Sequence, residues 1–222
     1  MFFQMDNGTL SCFWRVNILL MSLLNWLKIN HFIKSACNNC SKGVLEDCFH
    51  PECITADGVE RGLMTINRQL SGPPIHVCKN DLIVIDVINS MHGTATGIHW
   101  HGLNQKETPY MDGVPYVTQC PISYGSTFRY TFYAREAGTH FYHSHSGLQK
   151  ANGIHGSLII RAPKLSDDNH KEYDYDLSEH TIITADWMHS YAEMYFPGLS
   201  STLSLFQSIL INGKGRFFNV NI

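Results

Sequence analysis

From about Ala56 the chain alternates short apolar, β-branched runs with turn signals, and no sustained helical period interrupts them. Residues 81–89 (DLIVIDVIN) form a nearly continuous β-branched run broken only by Asp86, which predicts a buried strand between Lys79-Asn80 and Ser90. Residues 127–133 (TFRYTFY), 153–161 (GIHGSLIIR) and 180–187 (HTIITADW) predict three more strands. Turns are predicted at Ser71-Gly72-Pro73-Pro74, Met111-Asp112-Gly113, Ser123-Tyr124-Gly125 and Ala137-Gly138. Several short strands at this spacing predict an all-β fold, a sandwich or Greek-key barrel.

The pattern changes at both ends of this block. Residues 163–176 (PKLSDDNHKEYDYD) are polar and acidic with no apolar period, and read as a linker. Residues 177–222 hold one strand, an apolar stretch at 208–211 and a Gly213-Lys214-Gly215 turn, too little to close a second sandwich, so this part is expected to be an incomplete domain. Upstream, residues 1–34 are an unassigned leader. Their apolar run at 16–27 has the length of a signal-peptide h-region and is too short for a bilayer, which needs about 20 apolar residues. An amphipathic helix or a mistaken gene start are the alternatives.

Residues 35–55 are rich in cysteine: Cys37, Cys40, Cys48 and Cys53 cluster there, with Cys78 and Cys120 later and Cys12 alone upstream. The loose spacing suits disulfides in a secreted protein better than a zinc site, and without Cys12 the set is even. A net charge of −3 leaves no basic footprint, so no nucleic-acid partner is expected. Membrane anchoring has no support, and oligomeric state is not legible.

Two motifs carry the chemistry. His99-Trp100-His101-Gly102 and His143-Ser144-His145 each place two imidazoles two residues apart, which on a strand points both to one face. Two such strands side by side converge four imidazoles, good ligands for copper, zinc, nickel or iron. Chance pairs arise in a chain with 13 histidines, yet two pairs with identical spacing favour a metal. No third histidine or carboxylate sits close by in the zinc-hydrolase manner.

The stretches ADGVERGLMTINRQLSGPPIHVCKNDLIVIDVIN, GIHWHGLNQKETPYMDGVPYVTQCPI and GTHFYHSHSGLQKANGIHGSLIIR closely resemble the amino-terminal half of the multicopper oxidases, specifically the insect laccase type. EHTIITADW and ILINGKGRF resemble the opening of that family's second domain. The resemblance implies cupredoxin-like Greek-key β-sandwich domains, the first over residues 56–162, with copper as cofactor. It also implies one-electron oxidation of a small phenolic or diphenolic substrate at a type 1 copper, coupled to reduction of O2 to water at a three-copper cluster. Carried over by position, His99 matches a type 2 copper ligand, and His101, His143 and His145 match type 3 ligands. Asp112, in PYMDGVP, matches an acidic position that feeds protons to reduced oxygen, a role a carboxylate can perform; an Asp-Gly pair is equally an ordinary turn. His140 is expected on the face opposite His143 and His145, Trp100 in the core, and His155 is a departure from the family's apolar residue.

The family's carboxyl-terminal His-Pro-x-His-x-His and His-Cys-His motifs have no counterpart after His145. The expectation is therefore an amino-terminal oxidase part, inactive by itself, with a non-catalytic copper-binding module as the alternative. Phenols, ascorbate and ferrous iron all remain open as reductants, and an extracellular location is implied.

Overall fold

The computed structural model describes strand residues 5–6, 9–10 and 23–34, and residues 54–195 and 206–217. In chain order the strands are Met5–Asp6 (β1), Thr9–Leu10 (β2), Leu23–Lys34 (β3), Gly62–Ile66 (β4), Gly72–Cys78 (β5), Leu82–Asn89 (β6), Ile98–His101 (β7), Thr127–Tyr133 (β8), Gly138–Ser144 (β9), His155–Arg161 (β10), Thr184–Trp187 (β11) and Ser208–Ile211 (β12). Among the described residues helix is confined to short 3-10 turns such as Pro109–Met111 and Ala192–Tyr195. The fold is all-β, and no described helix is long and apolar enough to cross a membrane.

Two four-stranded sheets, ordered β5-β10-β9-β7 and β4-β3-β6-β8, share one core. Period-2 alternation decides which side chains enter it. On β6, Ile83, Ile85 and Val87 face inward; on β8, Tyr130 and Phe132 do, with Phe128 packed alongside. Asp86 interrupts the β6 run on the outer face, where it lies opposite Arg129 and accepts two hydrogen bonds from that guanidinium at 2.7 Å each. This ion pair holds the Asp86 carboxyl below the usual carboxylate range. The apparent defect in the buried run is thus a cross-strand charge pair.

β10 is buried along its whole length because it lies between β5 and β9 and is covered on its second face as well. Leu158 and Ile160 enter the shared core, while Arg161, on the other face, donates to Asp176 at 2.7 and 2.9 Å. The acidic segment read as a linker therefore contributes Asp176 to a buried guanidinium. A cleft of about 580 Å³ lies here, lined by Gly138, Thr139, Arg161, Asp168, Tyr175 and His180 among others.

Three expectations are corrected. Ser71-Gly72-Pro73-Pro74 is no simple turn, since β5 begins at Gly72 and includes both prolines. β5 is the last strand of its sheet, where a proline's missing N–H is tolerated. The expected strand at 180–187 is shorter: Ser178–His180 is a 3-10 turn, and β11 starts at Thr184. The leader is not wholly separate from the sandwich either. Leu23–Lys34, overlapping the apolar run, forms β3 between β4 and β6, antiparallel to the first and parallel to the second. Pairing on both sides satisfies a backbone that an apolar segment could not leave bare.

The hairpin of β11 and β12 packs on a smaller cluster of Ala56, Leu63, Leu70, Trp187 and Leu210. Arg61 lies 4.4 Å from the Trp187 ring centre and donates to Asn152 Oδ1 at 2.5 Å. Burial lowers its pKa to about 10, with Tyr191, Glu193 and Asp57 acting the other way.

Asp57, buried, accepts from His189 Nε2 at 2.7 Å, Ser208 Oγ at 2.5 Å and the Val59 amide at 3.3 Å. Burial pushes its carboxyl pKa up, but these hydrogen bonds together outweigh it, and the net value lies below 3.8. The folded pKa being depressed, this stabilisation is present above the unfolded value and lost as pH falls below it. Asp57→Asn is expected to destabilise by about 1 to 3 kcal/mol at pH 7. In urea unfolding the gap to the wild type should shrink below pH 3.8; a gap unchanged at pH 3 contradicts the assignment.

Among the cysteines, Cys120 is an exposed free thiol, so the even set of six does not close here. The other described cysteine, Cys78, is buried at the end of β5 and is disulfide-bonded, though not to Cys120. The cluster at Cys37, Cys40, Cys48 and Cys53, and Cys12, lie outside the described residues.

Candidate metal centre

β7 and β9 are antiparallel neighbours, and their register sets His99 opposite His143, Trp100 opposite Tyr142, and His101 opposite Phe141. Alternation then separates the side chains by chemistry. Trp100 and Tyr142 go into the core, fully buried, while the histidines share the other face. A ligand nitrogen from each of His99, His101 and His143 falls within 4.8 Å of the others. His145 follows directly after β9, and its ring centre lies 5.5 Å from that of His99 and 6.0 Å from that of His143. It borders the tight group without joining it.

Hydrogen bonds fix which nitrogens are available. His99 Nδ1 donates to the Asp112 carbonyl at 2.8 Å, and His143 Nδ1 donates to the Ser144 carbonyl at 2.8 Å. In the neutral rings this leaves Nε2 of both as lone-pair donors, the arrangement in which a carbonyl orients a metal-binding imidazole. His143 Nε2 in turn lies 3.3 Å from His101 Nδ1. Phe141 stacks on both rings, at 4.7 Å from His101 and 4.9 Å from His143.

Electrostatics favour the neutral form of His143 and His101. Burial draws the His143 pKa down to about 4, partly countered by its bond to Ser144 and reinforced by Lys150, His99 and His101. His101 is also lowered, first by burial, then by His99, Lys150, His145 and His140. Neutral imidazoles converging lone pairs without protons are suited to a soft or borderline cation. The donor set therefore fits copper.

The Met111-Asp112-Gly113 turn closes the site from the side. Asp112 Oδ1 lies 3.3 Å from His99 Nδ1, so both its carbonyl and its carboxylate face that ring. The loop can come this near because it carries glycine: a Cβ on Gly113 would stand 1.7 Å from the Ile98 carbonyl oxygen. The second motif is tied to the first by the His145 amide, which donates to the Gly97 carbonyl at 3.0 Å.

His140 stands on the far face and donates from Nε2 to the Glu136 carbonyl at 2.9 Å. His155, opposite His143 on β10, is buried with Nε2 3.3 Å from Ser71 Oγ, and burial lowers its pKa. Sequence reasoning passed over Lys150 and Gln149, both in the loop after His145. Their only signal there was proximity to the motif.

The multicopper oxidase family profile matches residues 50–165, a little over half of the chain. L-ascorbate oxidase of Cucumis sativus is 40% identical over 165 residues, covering 72% of this chain and 27% of that protein. Laccase-2 of Botryotinia fuckeliana is likewise 40% identical over 165 residues, covering 74% and 27%. The crystal structure of laccase from Botrytis aclada superposes with a TM-score of 0.68 at 30% identity, covering 90% of this chain and 33% of that one. The chain thus spans about a third or less of the length of these relatives. With its paired His-x-His strands and this profile match, the chain belongs to the multicopper oxidase family, whose members bind copper.

Proposed function

We propose that this chain is the amino-terminal part of a secreted, insect-type laccase, a copper oxidase of phenolic or diphenolic substrates that reduces O2 to water. In this reading residues 56–162 are the first cupredoxin domain, with β3 added to its sheet, 163–176 the linker, and 177–222 the start of a second domain. The observation that carries it is the convergence of His99, His101 and His143 nitrogens within 4.8 Å, with His145 alongside. His99, His101, His143 and His145 would hold the copper, His99 in the type 2 role and the other three in the type 3 role. Copper bound there supplies the redox chemistry that passes electrons to O2. The protein's own share is to orient the rings, by the Asp112 and Ser144 carbonyls, and to exclude water behind them with Trp100 and Tyr142. The Asp112 carboxylate, with Oδ1 3.3 Å from His99 Nδ1, would relay protons, taking one up from solvent and passing it on as O2 is reduced. A disulfide at Cys78 supports an extracellular setting.

A second reading, a non-catalytic copper-binding module, is favoured for the isolated polypeptide by one observation: the 222 residues contain no His-Cys-His for a type 1 site. The test is a copper titration of the purified chain with oxygen uptake on a diphenol. Copper binding that disappears in His99→Ala/His143→Ala, without oxygen uptake, is expected. Binding unaffected by that pair of substitutions overturns the site, and oxygen uptake by the wild type overturns the inactivity of the chain alone.

A further inference from the structure

Ser144 sits between two of the four histidines and points the opposite way, into the protein, where it is buried. There it meets two other buried polar side chains. Gln149 Oε1 accepts from Ser144 Oγ at 2.6 Å and from Thr96 Oγ1 at 2.8 Å, while Gln149 Nε2 donates to the Ala95 carbonyl at 2.9 Å. Thr96 Oγ1 and Ser144 Oγ are themselves 3.2 Å apart, and Ser144 Oγ accepts from the Ser146 amide at 3.2 Å. Gln149 is 4% exposed and Thr96 0%. A single amide thereby links the segment leading into His99-Trp100-His101 to the middle residue of His143-Ser144-His145.

We infer that Gln149 is a positioning residue for the metal centre, holding His143 and His145 at their angles through Ser144; this rests on the metal reading above. The chemistry of the cluster favours such a role over plain core filling. An apolar residue would fill this space without buried polar atoms, each of which is costly unless bonded. Every polar atom here that the amide reaches belongs to one of the two segments bearing the histidine pairs. The bonds approach from the face opposite the rings, so they constrain the backbone that aims the imidazoles without competing for their nitrogens. The loop's far end is fixed independently. Asn152 Oδ1 accepts from Arg61 and from the Ala192 amide, so release of Gln149 frees the histidine side of the loop and leaves the rest anchored.

The experiment compares the wild type with Gln149→Met, near in volume and without an acceptor for the two hydroxyls, at a temperature well below both melting points. Two readouts are taken: the metal-free imidazole signals of all four histidines by nitrogen-edited NMR, and Cu(II) affinity with the electron paramagnetic resonance spectrum. The expected result is multiple or broadened ring signals for His143 and His145, smaller changes for His99, whose segment loses its bonds at Thr96 and Ala95, and Cu(II) affinity lower by about 10- to 100-fold with an altered copper spectrum. A purely structural role would lower the melting temperature and leave both readouts unchanged in the folded protein; that result overturns the inference. Should Gln149→Met fail to fold, Ser144→Ala removes the link while Gln149 keeps Thr96 and Ala95, and the same ring and copper changes are required of it. If the wild type binds no Cu(II) but the ring signals of Gln149→Met change as described, the metal reading fails and the positioning by Gln149 stands.

Discussion

Gly113→Ala is expected to destabilise the protein by at least about 2 to 3 kcal/mol and to abolish copper binding in whatever fraction still folds. Two costs combine at this position. Its φ of +84° lies in the left-handed region, which strains any residue with a Cβ. The added methyl would also stand 1.7 Å from the Ile98 carbonyl oxygen and 2.9 Å from the His99 amide nitrogen, both backbone atoms of the strand that presents the first histidine pair. Neither can yield without moving β7 or expelling the Asp112 loop, and either movement breaks the bond from His99 Nδ1 to the Asp112 carbonyl. Gly125→Ala provides the control, because φ there is +77° with nothing within 4 Å of the added carbon. Its loss should be about 1 kcal/mol. Urea unfolding of the two variants, with copper titration of each, checks the pair; equal losses would show that the close approach to Ile98 has no energetic weight.

Trp100→Ala is expected to cost about 3 to 5 kcal/mol, the range for emptying a buried indole site. The ring is fully buried, with its centre 5.1 Å from Tyr130, 5.1 Å from Phe132 and 5.9 Å from Tyr142, so it packs against three aromatic side chains from both sheets. Because it is the residue between His99 and His101, the cavity opens directly behind the site. Trp100→Phe separates packing from polarity. Trp100 Nε1 has no hydrogen-bond partner among the described residues, so phenylalanine forfeits volume and no hydrogen bond, and its loss should be well under that of alanine. Thermal melts of both variants test this, and a phenylalanine variant as unstable as the alanine one would contradict the packing account.

What could be read in the chain, and what could not, follows from the range over which the physics acts. The strands at 127–133 and around 153–161 were legible because alternation and β-branching are local, and β8 and β10 fall there. The paired histidines were legible for the same reason, since spacing two on a strand fixes a common face whatever the partner is. Neighbourhood across the sheet decides the rest. The prolines of β5 look like a turn until the strand is seen to be an edge. Residues 23–34 look like a leader until β4 and β6 are found on either side. Nothing local in Gln149 announces that Ser144 and Thr96 share its carbonyl oxygen, and an Asp-Gly pair carries no mark of the Ile98 carbonyl beneath it. Asp57 likewise takes its partners, His189 and Ser208, from far along the chain.

Diffraction data collected at the copper edge from a crystal of the copper-loaded protein test the central claim most directly. The account predicts anomalous density bounded by His99 Nε2, His101 Nδ1 and His143 Nε2, with His145 beside it and the Asp112 carbonyl still bonded to His99 Nδ1. Density confined to another place, such as the cleft lined by Asp168 and His180, with none at these histidines, would contradict it.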